Sequence, residues 1–130
     1  MALSLNHGGR REGRVGFFAV SAMLALLGAA ESAERRCGWY QNPTPRNHWL
    51  VDRDGTWTMM AQGGYEARGM DLMPDFTTRE WVRTNGYYGF GCACIAVDTD
   101  RRTMRIARIL AVEQLPLSRC RQDSALPRPQ

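Results

Sequence analysis

Four cysteines, Cys37, Cys92, Cys94 and Cys120, carry the most chemistry in this sequence. Thiols can form disulfides, ligate zinc or cycle between redox states, and spacing decides among the three. The Cys-x-x-Cys spacing of redox catalysis is absent. A Cys-x-Cys pair with two distant cysteines could complete a tetrahedral thiolate site for zinc. In an oxidising compartment the same even set makes two disulfides instead, and that reading is taken. Residues two apart on a strand lie about 7 Å from each other, beyond the usual Cα range of a disulfide, so a Cys92–Cys94 bridge is disfavoured. Cys92 and Cys94 then each join Cys37 or Cys120. The pairing Cys37–Cys92 with Cys94–Cys120 is favoured slightly over the swap, and either arrangement fastens both chain ends to the Cys92–Cys94 segment.

Other reactive groups are sparse. His48 is the only histidine beyond the first thirty residues, and Asn47-His48-Trp49 matches no nucleophile motif. It reads as a strand residue on a partly exposed face. Asp52, Asp54 and Gly55 resemble the start of a calcium loop, but the twelfth position counted from Asp52 is Gly63 where that loop needs Glu. Asp and Gly are turn formers here, as are Asp98 and Asp100. A carboxylate pair for glycoside hydrolysis leaves no spacing signature to read. The chain has no lysine, which removes Schiff-base chemistry. No catalytic residue, no cofactor and no metal ligand set is therefore assigned.

The aromatic residues say more. Trp49, Trp57 and Phe90 are expected in the core, where large rings fill a small interior. Trp39-Tyr40 and Tyr87-Tyr88 flank a glycine or a glycine-containing turn and are the candidates for an exposed binding surface. Arg83, with Arg46 and Arg101, could supply charge complementary to an acidic partner.

These residues must be positioned by short strands. Residues 34–47 look loop-like because Pro43 and Pro45 interrupt them. His48–Val51 and Thr56–Ala61, joined by Asp52-Arg53-Asp54-Gly55, read as a hairpin. Tyr65–Arg68 could be another short strand. Thr77, with Glu80 three residues later, reads as the cap of one helical turn. Asn85-Gly86 is a two-residue hairpin turn. Tyr87–Asp98 is the clearest strand, with Tyr88, Phe90, Cys92, Cys94 and Ala96 on one face and Ala93, Ile95 and Val97 on the other. Both faces are apolar, so this strand is central and covered on both sides. Thr103–Val112 pairs back with Met104, Ile106, Leu110 and Val112 on one face; Arg108 interrupts that face and leaves a helix as the alternative. The expected fold is mainly β: a small twisted antiparallel sheet or partly open barrel, stapled by disulfides, with at most one short helix.

The ends frame a single domain. Arg10, Arg11 and Arg14 precede a thirteen-residue apolar run, Val15–Leu27, and then small residues at Gly28, Ala29, Ala30 and Ala33. That is the pattern of a Sec-type signal peptide over 1–30, cleaved after Ala30 or Ala33. A spanning helix needs about 20 residues, so no stable membrane anchor is expected after cleavage. The expected domain is 34–123, with a disordered tail at 124–130. Beyond Ala30, fourteen Arg face twelve Asp and Glu, for a net charge near +2. The arginines are dispersed among acids, which gives nucleic-acid binding no support.

Six runs taken together resemble a known family. They are Cys37-Gly38-Trp39-Tyr40, Asn42-Pro43-Thr44-Pro45, Trp49 through Trp57, Thr84-Asn85-Gly86, Gly89-Phe90-Gly91-Cys92-Ala93-Cys94, and Leu115-Pro116-Leu117-Ser118-Arg119-Cys120. Over about Arg36 to Arg121 the chain resembles the bacterial family called domain of unknown function 4087. The resemblance implies an exported bacterial protein and brings no activity or site residues. The expected function is a non-catalytic periplasmic or secreted binding module, for example an inhibitor or immunity-type protein acting on an envelope enzyme. Its partner would be an envelope or exported protein, or cell-wall glycan. A small cell-wall hydrolase and a structural envelope protein are the alternatives.

Overall fold

The computed structural model describes residues 33–129 without a break, together with isolated positions 8, 9, 13 and 16. The signal peptide expected over 1–30 otherwise lies outside the described residues. Residues 33–129 belong to one compact unit. Six strands follow in order: β1 (Glu34–Thr44), β2 (Asn47–Asp52), β3 (Gly55–Met60), β4 (Trp81–Asn85), β5 (Tyr88–Asp100) and β6 (Arg105–Leu115). Two 3-10 turns, Met70–Leu72 and Phe76–Thr78, lie between β3 and β4, and one short helix, α1 (Leu117–Arg121), follows β6. The protein is mainly β, with only short helices.

All six strands form one sheet in the order β1-β2-β3-β6-β5-β4, and β1 also pairs with β5. The pairing thus runs round a ring of five strands, β1-β2-β3-β6-β5 and back to β1, while β4 pairs with β5 beyond the end of the β5–β6 ladder. The sheet is mixed rather than wholly antiparallel. Five strands in a ring cannot all alternate in direction, so one neighbouring pair must be parallel. That pair is β3–β6, which meets at a single register pair, Thr58↔Arg105. Glu66 and Arg68 fill the thin seam, bridging to Met60 and Arg108. The Ala67 amide donates to the Met59 carbonyl and the Ile109 amide to the Arg68 carbonyl, both at 2.8 Å.

β5 is central and covered on both faces, as its alternation predicts. Ala93, Ile95 and Val97 face the inside of the ring with Leu50, Trp57, Met59, Ile106 and Ile109. Cys92 and Cys94 face outward into a second cluster with Trp39, Leu115 and Cys120. The β2–β3 hairpin forms where expected.

Four expectations about individual strands and turns are corrected. Residues 34–44 are a strand, not a loop, because neither proline is asked for a ladder hydrogen bond. Pro43 falls in the register shift between Gln41 and Thr44, and Pro45 sits in the turn to β2 beside Arg46, whose φ is 61°. The β4–β5 turn is Gly86–Tyr87, one residue later than expected, with Asn85 opposite Tyr88 and Gly86 at φ 60°. The helical turn at residue 76 is capped by Asp75, whose carboxylate accepts from the Thr77 amide at 2.9 Å; Glu80 instead accepts from the Leu117 amide. On β6, register shifts beside Ala107 and Leu110 move the inward positions to Ile106 and Ile109, and Leu110 is turned out to solvent. The helix alternative for this segment is not adopted.

The disulfides take the swap: Cys37–Cys94 and Cys92–Cys120, with Cα separations of 4.0 and 5.7 Å. The favoured pairing, Cys37–Cys92 with Cys94–Cys120, fails on register. β1 and β5 place Cys37 directly opposite Cys94, and Trp39 opposite Cys92. Cys92 is left to meet Cys120 from α1 on the outer face. With every cysteine oxidised, no thiolate zinc site forms. Gly38, next to Cys37, is needed for close strand approach, since a Cβ there would lie 2.1 Å from the Val51 carbonyl oxygen. Residues 124–129, expected as a disordered tail, include Leu126 packed against the Trp39 cluster.

Candidate functional site

Of the surface residues expected from sequence, the β4–β5 hairpin carries Arg83, Tyr87 and Tyr88, and it brings the first two into contact. Tyr87 is 69% exposed at the turn. The Arg83 guanidinium carbon lies 4.6 Å from the centre of its ring, a cation–π contact that holds ring and charge side by side. Tyr88 follows in the chain and is half-buried. The Trp81 indole N–H donates to the Tyr87 carbonyl at 3.0 Å, so the turn backbone is fixed from below. The Trp81 ring packs in turn against Tyr40 and Phe76, with centroids 5.8 and 6.1 Å away. The tip is therefore rooted in the inner cluster. Gly89 permits this packing of strands, because a Cβ there would lie 1.8 Å from the Val82 carbonyl oxygen.

The other two aromatic candidates are core. Trp39 and Tyr40 are 3% and 4% exposed. Neighbours on a strand point to opposite faces, and here both faces are covered. Trp39 enters the outer cluster edge-on to Phe90, at 5.3 Å between centroids, while Tyr40 points inward. Trp57 is fully buried as expected; Trp49 and Phe90 are only partly so.

Tyr40 also engages His48, whose Nδ1 lies 2.6 Å from the Tyr40 hydroxyl oxygen. Burial pushes the His48 pKa below its ordinary 6.5 and pushes the Tyr40 hydroxyl well up. Both shifts favour the neutral forms, and among the described residues no serine hydroxyl is hydrogen-bonded to this histidine. A histidine with a depressed folded-state pKa leaves the unfolded chain binding more protons as pH drops. Stability should therefore be complete above about pH 6.5 and decline below it. Urea midpoints compared at about pH 7.5 and about pH 5 should fall for the natural protein and change much less for His48→Gln. Equal falls in both would place the titration elsewhere.

One polar constellation was not visible in the sequence. Arg36, 6% exposed, extends from β1 under the β2–β3 turn. Its guanidinium binds Glu34 at 2.7 Å, Asp52 at 2.8 Å and Asp54 at 3.0 Å, and stacks 4.0 Å from the centre of the Trp57 ring. Asp52 Oδ1 also accepts from the Asp54 amide and the Trp57 indole. The two aspartates are turn formers, as expected, but they are also the cage of a buried cation. A cavity of about 510 Å³ opens on the cluster, lined also by Arg101 and Asp123. Both oxygens of Asp52 are committed, so this group is not a free acid for hydrolysis. The signal that could have found it is parity: once residues 34–44 are read as a strand, Arg36 shares the inward face with Tyr40.

Among the described residues no group of three His, Cys, Asp or Glu side chains is placed to hold a metal ion, and no helix is long and apolar enough to cross a membrane. A family model described as "Protein of unknown function (DUF4087)" matches residues 31–127. Neither a curated protein nor a solved structure matches the chain.

Proposed function

The chain belongs to the family of proteins of unknown function DUF4087, and from that premise we propose that it is an exported, non-catalytic binding module whose contact surface is the β4–β5 hairpin tip. The partner is an envelope or exported protein, in the manner of an inhibitor or immunity protein acting on an envelope enzyme. The observation that carries this reading is Tyr87, a large ring left 69% exposed on a turn that is otherwise fixed in place. Exposed tyrosine beside arginine is the composition of a binding hot spot, and the tyrosine ring brings contact area with few torsions to freeze. A turn already held by Trp81 has little ordering cost left on association. Two disulfides fit an oxidising compartment outside the cytoplasm.

The test uses mature protein purified in oxidised form from the periplasm, with a partner recovered from envelope extract and then purified. Tyr87→Ala should leave the melting temperature nearly unchanged and weaken binding to that partner by more than about 1 kcal/mol, roughly fivefold in Kd. Arg83→Ala should weaken it less and make it less salt-sensitive. Unchanged binding by both variants would remove the hairpin tip from the interface. Turnover of peptidoglycan abolished by His48→Ala would replace the binding reading with a hydrolase.

A further inference from the structure

The outward stripe of β1 and β2 is a second surface, separate from the hairpin tip. Register sets Trp39 opposite Val51 and Gln41 opposite Trp49. The Trp49 indole N–H donates to Gln41 Oε1 at 2.8 Å, which fixes the ring on the sheet. The segment Leu126-Pro127-Arg128-Pro129 lies over this stripe. Leu126 packs on the Trp39 cluster. Beyond it the fit is loose. A cavity of about 430 Å³ separates Pro127 and Arg128 from Gln41, Trp49 and Val51. A second, of about 320 Å³, lies between the segment and Trp39 and Cys120. Among the described residues no hydrogen bond anchors residues 127–129; the last backbone contact is the Leu126 amide to the Asp123 carbonyl, at 3.1 Å.

We propose that the outer face of β1 and β2 is a groove for an extended, proline-containing peptide, and that residues 126–129 are its tethered occupant. Proline prefers the polyproline II conformation, so a Leu-Pro-x-Pro segment has little conformational entropy to lose on docking, and apolar grooves lined by fixed aromatic rings are what such segments bind. Trp49 is the fixed ring, and the Gln41 side-chain N–H groups, with no partner among the described residues, are donors for a peptide carbonyl. Leu126 supplies the one seated side chain. The tether keeps the local concentration of the occupant high without strong contacts, and a free peptide must compete with it. The partner class is a protein segment carrying a leucine next to spaced prolines.

The experiment compares the full chain with one ending at Ala125, both oxidised. The probes are the synthetic peptide SALPRPQ, which copies residues 124–130, and the same peptide with both prolines replaced by alanine. Binding is read by tryptophan fluorescence and by amide chemical shifts. The shortened chain should bind SALPRPQ at least tenfold more tightly than the full chain does. The alanine peptide should bind at least tenfold more weakly, and Trp49→Ala in the shortened chain should abolish binding with both disulfides intact. Leu126→Ser in the full chain provides a second route: it unseats the tether while keeping the chain length, and should also raise affinity for the peptide. Equal affinity of the full and shortened chains, equal affinity for the two peptides, or no binding to either unseated form would overturn the proposal. Retained partner binding by Tyr87→Ala does not bear on it, because the two surfaces lie on different strands.

Discussion

Arg36→Ala is expected to remove about 3–5 kcal/mol of folding stability, the usual effect of deleting one partner of a buried ion pair. The size follows from what is left behind. Asp52 is 5% exposed and would keep a buried carboxylate with only the Trp57 indole and the Asp54 amide as donors. Trp57 would lose the cation stacked on its face. The exposed members behave differently: Asp54→Ala should change stability far less than Arg36→Ala, because that carboxylate is solvated and screened. The pair Arg36→Met with Asp52→Leu removes both buried charges together and should recover much of the loss, since the penalty lies in the unpaired charge rather than the missing attraction. Urea unfolding of the four proteins tests this, and an Arg36→Ala effect below about 1 kcal/mol would show the pair to be hydrated. The pH profile adds an independent readout. The Thr99 hydroxyl and then Arg36 hold the Glu34 carboxyl below its ordinary 4.5, and Arg36 holds Asp54 below 3.8. Folded-state values below the unfolded ones contribute stability that is present above those ordinary values and is lost as pH falls through the folded ones. The natural protein should therefore lose stability below about pH 4.5, and Arg36→Ala should lose less over that window.

What was legible in the sequence follows what was locally encoded. β5 was readable because both its faces are apolar and its alternation is unbroken from Tyr88 to Val97. The Asp52–Gly55 turn was readable because its residues form the turn by themselves. β1 was hidden, since Pro43 and Pro45 look like breakers until the register places each where no amide is needed. β6 was ambiguous for a physical reason. Its two register shifts put Ile106, Ile109 and Val112 on the core side at intervals of three, closer to a helical period than to the alternation of a flat strand. The candidate surface divided on a property no local pattern carries. Trp39-Tyr40 and Tyr87-Tyr88 look alike as sequence. Trp39 is covered in part by Cys120 and Leu126, which arrive from the far end of the chain, whereas Tyr87 stays 69% exposed at the Gly86–Tyr87 turn. The Arg36 cage depends on pairing β1 with the β2–β3 turn, so parity along β1 could turn Arg36 inward but could not name its partners.

Removing either disulfide is expected to lower stability by about 4 kcal/mol by the chain-entropy account, within the 2–5 kcal/mol usual for small exported domains. The two should differ in what else they change. Cys37 and Cys94 face each other inside a ladder of nine register pairs between β1 and β5. Cys37→Ser with Cys94→Ser therefore releases unfolded-state entropy while the native strands stay paired, and tryptophan emission of the folded protein should match that of the natural chain. Cys92–Cys120 is different, because it is the covalent tie that holds α1 against the sheet. Without it, residues 116–129 should loosen, Trp39 should become hydrated with a red-shifted emission, and amide exchange should rise over that stretch before the sheet opens. Thiol titration in denaturant checks the connectivity at the same time. Cys37→Ser with Cys94→Ser should show no free thiol, and Cys37→Ser with Cys92→Ser should show two. The reverse result would restore the Cys37–Cys92 pairing, and would require β5 to slide by two residues against β1, moving Trp39 out of line with Cys92. A slide of two residues keeps every side chain on its own face, so hydrophobic alternation alone does not choose between the two registers. The choice rests on contacts that tie β1 to β5 directly: the Thr99 hydroxyl donates to Glu34 at 2.9 Å, and Trp39 meets Phe90 edge-on at 5.3 Å between centroids.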